Sequence, residues 1–251
     1  MDDLEEYDDR LSRISTQWTM VIQAHQGSPE EMARAQIELM DRYSNAIHRY
    51  LLGSLRDYHA AEELDQEFAL RFIRGDFHRA DPARGRFRDF VRRSLRNLMI
   101  DYQRKRKRLP RNAGDDLPDP EDPSGDAFDK DFGRIWREEV IGRARAALKQ
   151  FEADTAKPYF TVLRARELHP KTPSRELAAL VSEKLGRALD DGWFRQTLLR
   201  ARDKFIDLLI EEIARSLPEP TLDAIEEELA DLELLEYCAP AIERRRKRRE
   251  S

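Results

Sequence analysis

Apolar residues recur every three or four positions along most of this chain, and no window alternates apolar and polar residues as a half-buried strand would. The pattern predicts an all-α fold. A short helix over about 16–24 would bury Trp18, Val21 and Ile22. Ser28, Pro29 and Glu31 then give the signature of a capped helix start, with a hydroxyl at the cap, proline just inside and a carboxylate three residues on. The stripe Met32, Ala35, Leu39, Tyr43, Ile47, Tyr50 and Leu51 continues that helix towards a turn at 53–59. A third helix over about 60–74 would bury Leu64, Phe68, Leu70, Phe72 and Ile73. After a polar loop at 75–85, a fourth over about 87–107 would bury Phe87, Phe90, Val91, Leu95, Leu98, Met99 and Tyr102. Four such helices can close a bundle.

Residues 109–127 carry Pro110, Pro118, Pro120 and Pro123 among Gly and Asp, the composition of a linker. Helical spacing resumes with Phe132, Ile135, Trp136, Val140, Leu148 and Phe151, and again through Tyr159, Val162 and Leu163. Thr172 and Pro173 predict a hydroxyl-capped helix over 174–185. A turn at 186–192 and a long helix over 193–216 complete the outline of a helix-turn-helix. Beyond Pro218 and Pro220, the stripe Leu222, Ile225, Leu229, Leu232 and Leu235 predicts one amphipathic helix over 221–237, and the basic tail 243–251 reads as disordered. The expected organisation is a bundle at 14–108, an acidic linker at 109–127, a helix-turn-helix domain at 128–217 and an extension at 218–251.

Composition sharpens this. Ala, Leu, Glu and Arg dominate, which are helix formers, and 38% of the residues are charged. The net charge of −5 conceals segregation: acids crowd 115–131 and 219–236, while bases crowd 84–111 and 243–249. One cysteine, Cys238, excludes an internal disulfide. No apolar run nears the ~20 residues of a membrane span, so a soluble, cytoplasmic protein is expected. The five histidines lack metal-ligand spacing, and no phosphate-cradling glycine loop or nucleophile elbow occurs, so neither an enzyme nor a cofactor is expected. Arg92, Arg93, Arg96, Arg104, Lys105, Arg106 and Lys107 lie on a helix whose other face is apolar, a pattern suited to phosphate neutralisation.

At these residues the chain resembles a bacterial RNA polymerase sigma factor of the extracytoplasmic-function group. The family's N-terminal domain carries a segment like AEELxQExF, a short loop, an aromatic-led FRxΦΦ segment and a helix ending NLxxDxxR before further bases. The matching residues are 61–68, 87–91, 97–104 and 105–108. The family's C-terminal helix-turn-helix ends in an LxRAR-like run, here Leu198-Leu199-Arg200-Ala201-Arg202. Three features depart from that pattern: a long turn over 180–193, Phe90 where the family has tryptophan, and the extension 221–251.

The resemblance implies a region 2-like bundle and a region 4-like domain. The acidic face Glu62, Glu63, Asp65, Gln66 and Glu67 would dock on a basic coiled coil of core RNA polymerase. Asp76, His78, Arg84 and Phe87, with Arg93, Arg96, Asn97, Asp101, Arg104 and Lys105, would meet the minus-ten element and hold a flipped base. Phe194, Leu198, Ala201 and Phe205 share the core face of the last long helix. Trp193, Arg195, Gln196 and Arg200 are therefore left for the major groove of the minus-thirty-five element. The implied partners are core polymerase and promoter DNA, with an anti-sigma factor or other regulator as a further one. The alternatives that the residues leave open are a stand-alone helix-turn-helix regulator and a helical adaptor that binds no DNA.

Overall fold

Ten helices and no strand form among the described residues, which in the computed structural model of the chain are 17–76, 85–108 and 126–249 (side chains 19–76, 85–108 and 129–247). The fold is all-α, as the periodicity predicts. The helices group into two compact units. Unit one takes the chain up to Glu139 together with Ala214–Leu232; unit two takes Val140–Ile213 and the chain from Glu233 onward.

In unit one, α1 (Gln17–Gln23) precedes α2 (Pro29–Leu55). The capping box forms as predicted: Glu31 N–H donates to Ser28 Oγ at 3.3 Å, and the Ser28 N–H donates to Glu31 Oε2 at 2.9 Å. The Ser28 N–H, foremost, and the Ser28 hydroxyl, which donates to the same Oε2 at 2.8 Å, hold the Glu31 carboxyl below its usual range. Arg56 ends α2 in the left-handed region, and Asp57 at once caps α3 (Tyr58–Arg74) by accepting from the Ala60 N–H at 3.2 Å. The turn is therefore much shorter than expected. Gly75 closes α3 at φ 83, and a Cβ there would stand 3.3 Å from the His25 ring, so glycine suits both the backbone and the space. The His25 nitrogens lie 2.7 Å from the Val21 carbonyl oxygen and 3.0 Å from that of Phe72, tying α1 to the end of α3.

The helix α4 (Phe87–Arg108) buries Phe87, Val91, Leu95, Leu98 and Met99. An aromatic cluster joins it to α2 and to the beginning of α5 (Asp126–Thr155). Trp136 stacks on Tyr43 at 5.0 Å with 4° between the rings, Phe87 lies 5.1 Å from Tyr43, and Phe132 meets Tyr50 edge-on at 5.0 Å. Arg49 pairs with Glu138 beside this cluster. The start of α5 thus packs with the bundle, whereas the linker composition placed it in the second domain.

The C-terminal stretch also differs from expectation. It forms two helices, α9 (Leu222–Asp231) and α10 (Leu235–Arg249), broken where Glu233 adopts φ 55. The first belongs to unit one, where Ile225 and Leu229 are fully buried. The second belongs to unit two, and the basic tail that composition marked as disordered is helical through Arg249 because Arg245, 5% exposed, reaches Asp207 at 2.5 Å. Two expected core residues of α3 are also exposed, Leu70 at 44% and Ile73 at 53%, as is Ile22 of α1 at 42%.

Unit two places α6 (Tyr159–Leu168), α7 (Ser174–Leu185) and α8 (Asp191–Arg215) after the end of α5. Glu152 receives both the N–H and the hydroxyl of Thr161, at 2.8 and 2.6 Å, and so fixes the start of α6. No side chain caps α7, contrary to the Thr172 expectation. Instead Arg166 donates to the Thr172 carbonyl at 2.7 Å and to Ser174 Oγ at 3.1 Å, holding the corner from α6 to α7. Gly186 ends α7 at φ 64.

Candidate nucleic-acid interface

Of the acidic stretch on α3, Glu62, Glu63 and Gln66 are exposed, whereas Asp65 and Glu67 are half-buried. Asp65 is 3.5 Å from His48, and burial, only partly offset by that neighbour, raises its carboxyl above the usual range. Glu67 accepts from Arg71 at 2.7 Å. The exposed Leu70 and Ile73 continue the stripe begun by Glu63 and Gln66, because positions 63, 66, 70 and 73 lie on one side of a helix. Sequence reasoning missed these two because it assigned every apolar residue of α3 to the core.

Along α4, Arg93, Asn97, Asp101, Arg104 and Lys105 are exposed and Arg96 is half-buried, opposite the stripe Val91, Leu95, Leu98 and Met99. The acidic and basic faces touch at their margin, where Lys105 lies 3.9 Å from Glu63 and Arg71 lies 4.0 Å from Asp101. Pairs this exposed add little to stability and leave both surfaces available to partners. Asp76 is exposed beyond the end of α3, while His78 and Arg84 lie outside the described residues. Phe87 is a correction. It is 4% exposed and packed on Tyr43, Phe90 and Trp136, so it supports the helix from inside and cannot contact a base.

Arg86 and Arg88, at the start of the same helix, are already engaged. Glu228 of α9, fully buried, lies 2.6 Å from Arg86 Nη1 and 3.1 Å from Arg88 Nε. Asp231 lies 3.2 Å from Arg88 and also pairs with Arg86. The Phe87 N–H donates to the Ser216 carbonyl at 3.2 Å.

Residues 39–109 match the family model of sigma-70 region 2. That stretch runs from within α2 through α3 and α4, the helices that carry the acidic and basic faces. The match covers 71 of the 251 residues, so what is similar to sigma-70 region 2 is this stretch of the chain. No curated protein and no solved structure matches the chain. Among the described residues no helix is long and apolar enough to cross a membrane, and no group of three or more His, Cys, Asp and Glu side chains is placed to hold a metal ion.

Outside the region 2 segment, unit two carries the residues expected at a second DNA element. Phe194, Leu198, Ala201 and Phe205 of α8 are buried, which leaves Arg195, Gln196 and Arg200 exposed. Asp190 caps the helix by accepting from the Trp193 N–H at 2.6 Å. The Trp193 ring is half-buried beneath the Arg187 guanidinium, 5.2 Å from its centroid, so less of it is free than its neighbours. Arg195 pairs with Asp191 at 2.8 Å.

Proposed function

We propose that this chain is a sigma factor of the extracytoplasmic-function group, which binds core RNA polymerase, selects promoters and promotes their opening, with no catalytic activity of its own. The observation that carries the proposal is the region 2 match over α3 and α4, which display an acidic and a basic face side by side. In this reading the α3 stripe of Glu62, Glu63, Asp65, Gln66 and Glu67 docks on polymerase by charge complementarity. Arg93, Arg96, Asn97, Asp101, Arg104 and Lys105 follow the minus-ten DNA, and the loop with Asp76, His78 and Arg84 holds the extruded base. A few kcal/mol of lost stacking must then be offset by that loop and by phosphate contacts. The minus-thirty-five element is read by Arg195, Gln196 and Arg200, whose side chains suit bidentate contacts to guanine and adenine edges, with Trp193 at the margin. A region 4-like role for unit two and a cytoplasmic location belong to the same proposal, as does a regulator of the anti-sigma kind.

Run-off transcription with core polymerase and this chain as the sole added factor tests it. Promoter-dependent transcripts are expected, and charge reversal by Glu62→Lys is expected to weaken core binding without unfolding the chain. Sequence-specific duplex binding without polymerase-dependent transcription would instead indicate a stand-alone regulator. No DNA binding at all would indicate an adaptor.

A further inference from the structure

We infer that Arg86 and Arg88 form a phosphate-binding site at the head of α4, and that α9 keeps it closed by offering the carboxylates of Glu228 and Asp231 in place of DNA phosphate. The inference rests on the reading of α4 as DNA-facing. A guanidinium fork that accepts a carboxylate pair accepts a phosphodiester with the same geometry. Both arginines converge on Glu228, and Asp231 reaches both from the solvent side. Glu227 adds a third acid, 3.4 Å from Arg86. The stretch leading into α9 also supplies the Ser216 carbonyl that accepts the Phe87 N–H, so an acceptor occupies the positive end of the α4 dipole as well. Side-chain cations and helix terminus are thus matched together by electronegative groups from one segment, Ser216–Asp231.

Stability alone does not call for this arrangement. A buried ion pair holds a fold no better than apolar residues of similar volume, and here three acids and two arginines are committed at one point. The helix that carries the acids is also bounded as a separable piece. Pro218 and Pro220 precede it, Thr221 caps it by accepting from the Ala224 N–H at 3.2 Å, and the left-handed Glu233 follows it. Its apolar stripe, Leu222, Ile225 and Leu229, favours the closed state, so DNA must compete for the arginines rather than find them free. The same basic helix then has exposed cations that attract DNA at once, and a second pair that engages only after α9 yields.

The test uses the full-length chain and a partly single-stranded promoter fragment, with binding followed by fluorescence anisotropy over a salt series. Glu228→Gln with Asp231→Asn is expected to tighten binding about tenfold at low salt. It should also steepen the log–log salt dependence by about 1–2, since each added phosphate contact contributes about 0.9. Adding Arg86→Gln and Arg88→Gln should remove both gains. Unchanged affinity and slope in a folded double variant overturn the inference. Hydrogen exchange on the unaltered chain decides the matter should that variant fail to fold: saturating DNA should speed exchange of the α9 amides, and undiminished protection overturns the inference. An unaltered chain inactive in run-off transcription would refute the sigma reading. A chain that transcribes, yet whose double variant keeps the original salt slope, would refute only the role given to α9.

Discussion

Trp136→Ala is expected to destabilise unit one by about 3–5 kcal/mol, the range for emptying a packed aromatic site. The indole is 2% exposed, lies parallel to the Tyr43 ring at 5.0 Å, and has the rings of Phe132 and Phe87 at 5.6 and 6.2 Å. A buried tryptophan removes about 150–250 Å² from water, worth about 4–6 kcal/mol at 25 cal/mol/Å², and partial collapse of the site returns some of it. Trp136→Phe keeps one ring in the stack and should cost markedly less. A global melt would blend two units, so the measurement is hydrogen exchange of the α2 and α4 amides near Tyr43 and Phe87. A loss of 3–5 kcal/mol makes exchange through global opening of the unit about 150- to 4,000-fold faster. Should α2 and α4 keep their protection while α6 to α8 lose theirs, Trp136 would belong to the second unit and the boundary at the proline-rich stretch would be correct after all.

Leu70→Asp and Ile73→Asp should leave stability within about 0.5 kcal/mol, as exposed positions do, while weakening the binding of core polymerase in a pull-down; a drop in stability with unchanged binding would return both residues to the core. Burial pushes the Cys238 thiol up to about 11, so a thiol reagent at neutral pH should label it only after denaturation, and rapid native labelling would contradict its placement in α10. Burial, outweighing Arg88 and Arg86, raises the Glu228 carboxyl above its usual 4.5. The folded state therefore binds that proton more readily than the unfolded one, and the resulting stability is present at low pH and lost as the pH rises through the raised value. Glu228→Gln should lessen that decline in unit one, read from amide exchange corrected for its intrinsic pH dependence, and an unchanged decline would refute the assignment. Glu31 and Glu138, held low by Ser28 and by Arg49, have the opposite sign, and their contributions are lost as the pH falls.

Much of unit one was legible because local signals and packing agree there. The Ser28–Glu31 box, the α2 stripe and the apolar side of α4 each follow from residues within a few turns of one another. The region 2 resemblance, read from 61–68 and 97–104, coincides with the matched span 39–109. The unit boundary was not legible, since a run of prolines reports only that 109–127 is a poor helix former. It carries no information on whether Phe132 and Trp136 pack backward on Tyr50 and Tyr43. The basic tail failed for a related reason: disorder was inferred from charge, and the partner that orders Arg245 is Asp207, thirty-eight positions away.

The engagement of α4 by α9 was hidden differently, because both halves of its signal are visible in the sequence. Arg88 sits on the apolar stripe of its own helix, three residues before Val91 and seven before Leu95. Glu228 sits on the apolar stripe of its own, three residues after Ile225 and four before Leu232. Either charge read singly looks like an irregularity in an amphipathic pattern. A charge on a buried stripe must nevertheless find an opposite charge or forfeit several kcal/mol, so two such charges of opposite sign in one chain are candidates for each other whatever their separation. The pairing is then a matter of elimination among buried positions, and the buried charged residues of unit one satisfy it: Arg88 and Glu228 meet at 3.1 Å. The same rule explains why the exposed cations of α4 gave no such clue, since Arg93 and Arg104 lie on the solvated side, where a charge needs no protein partner and remains available to an external one.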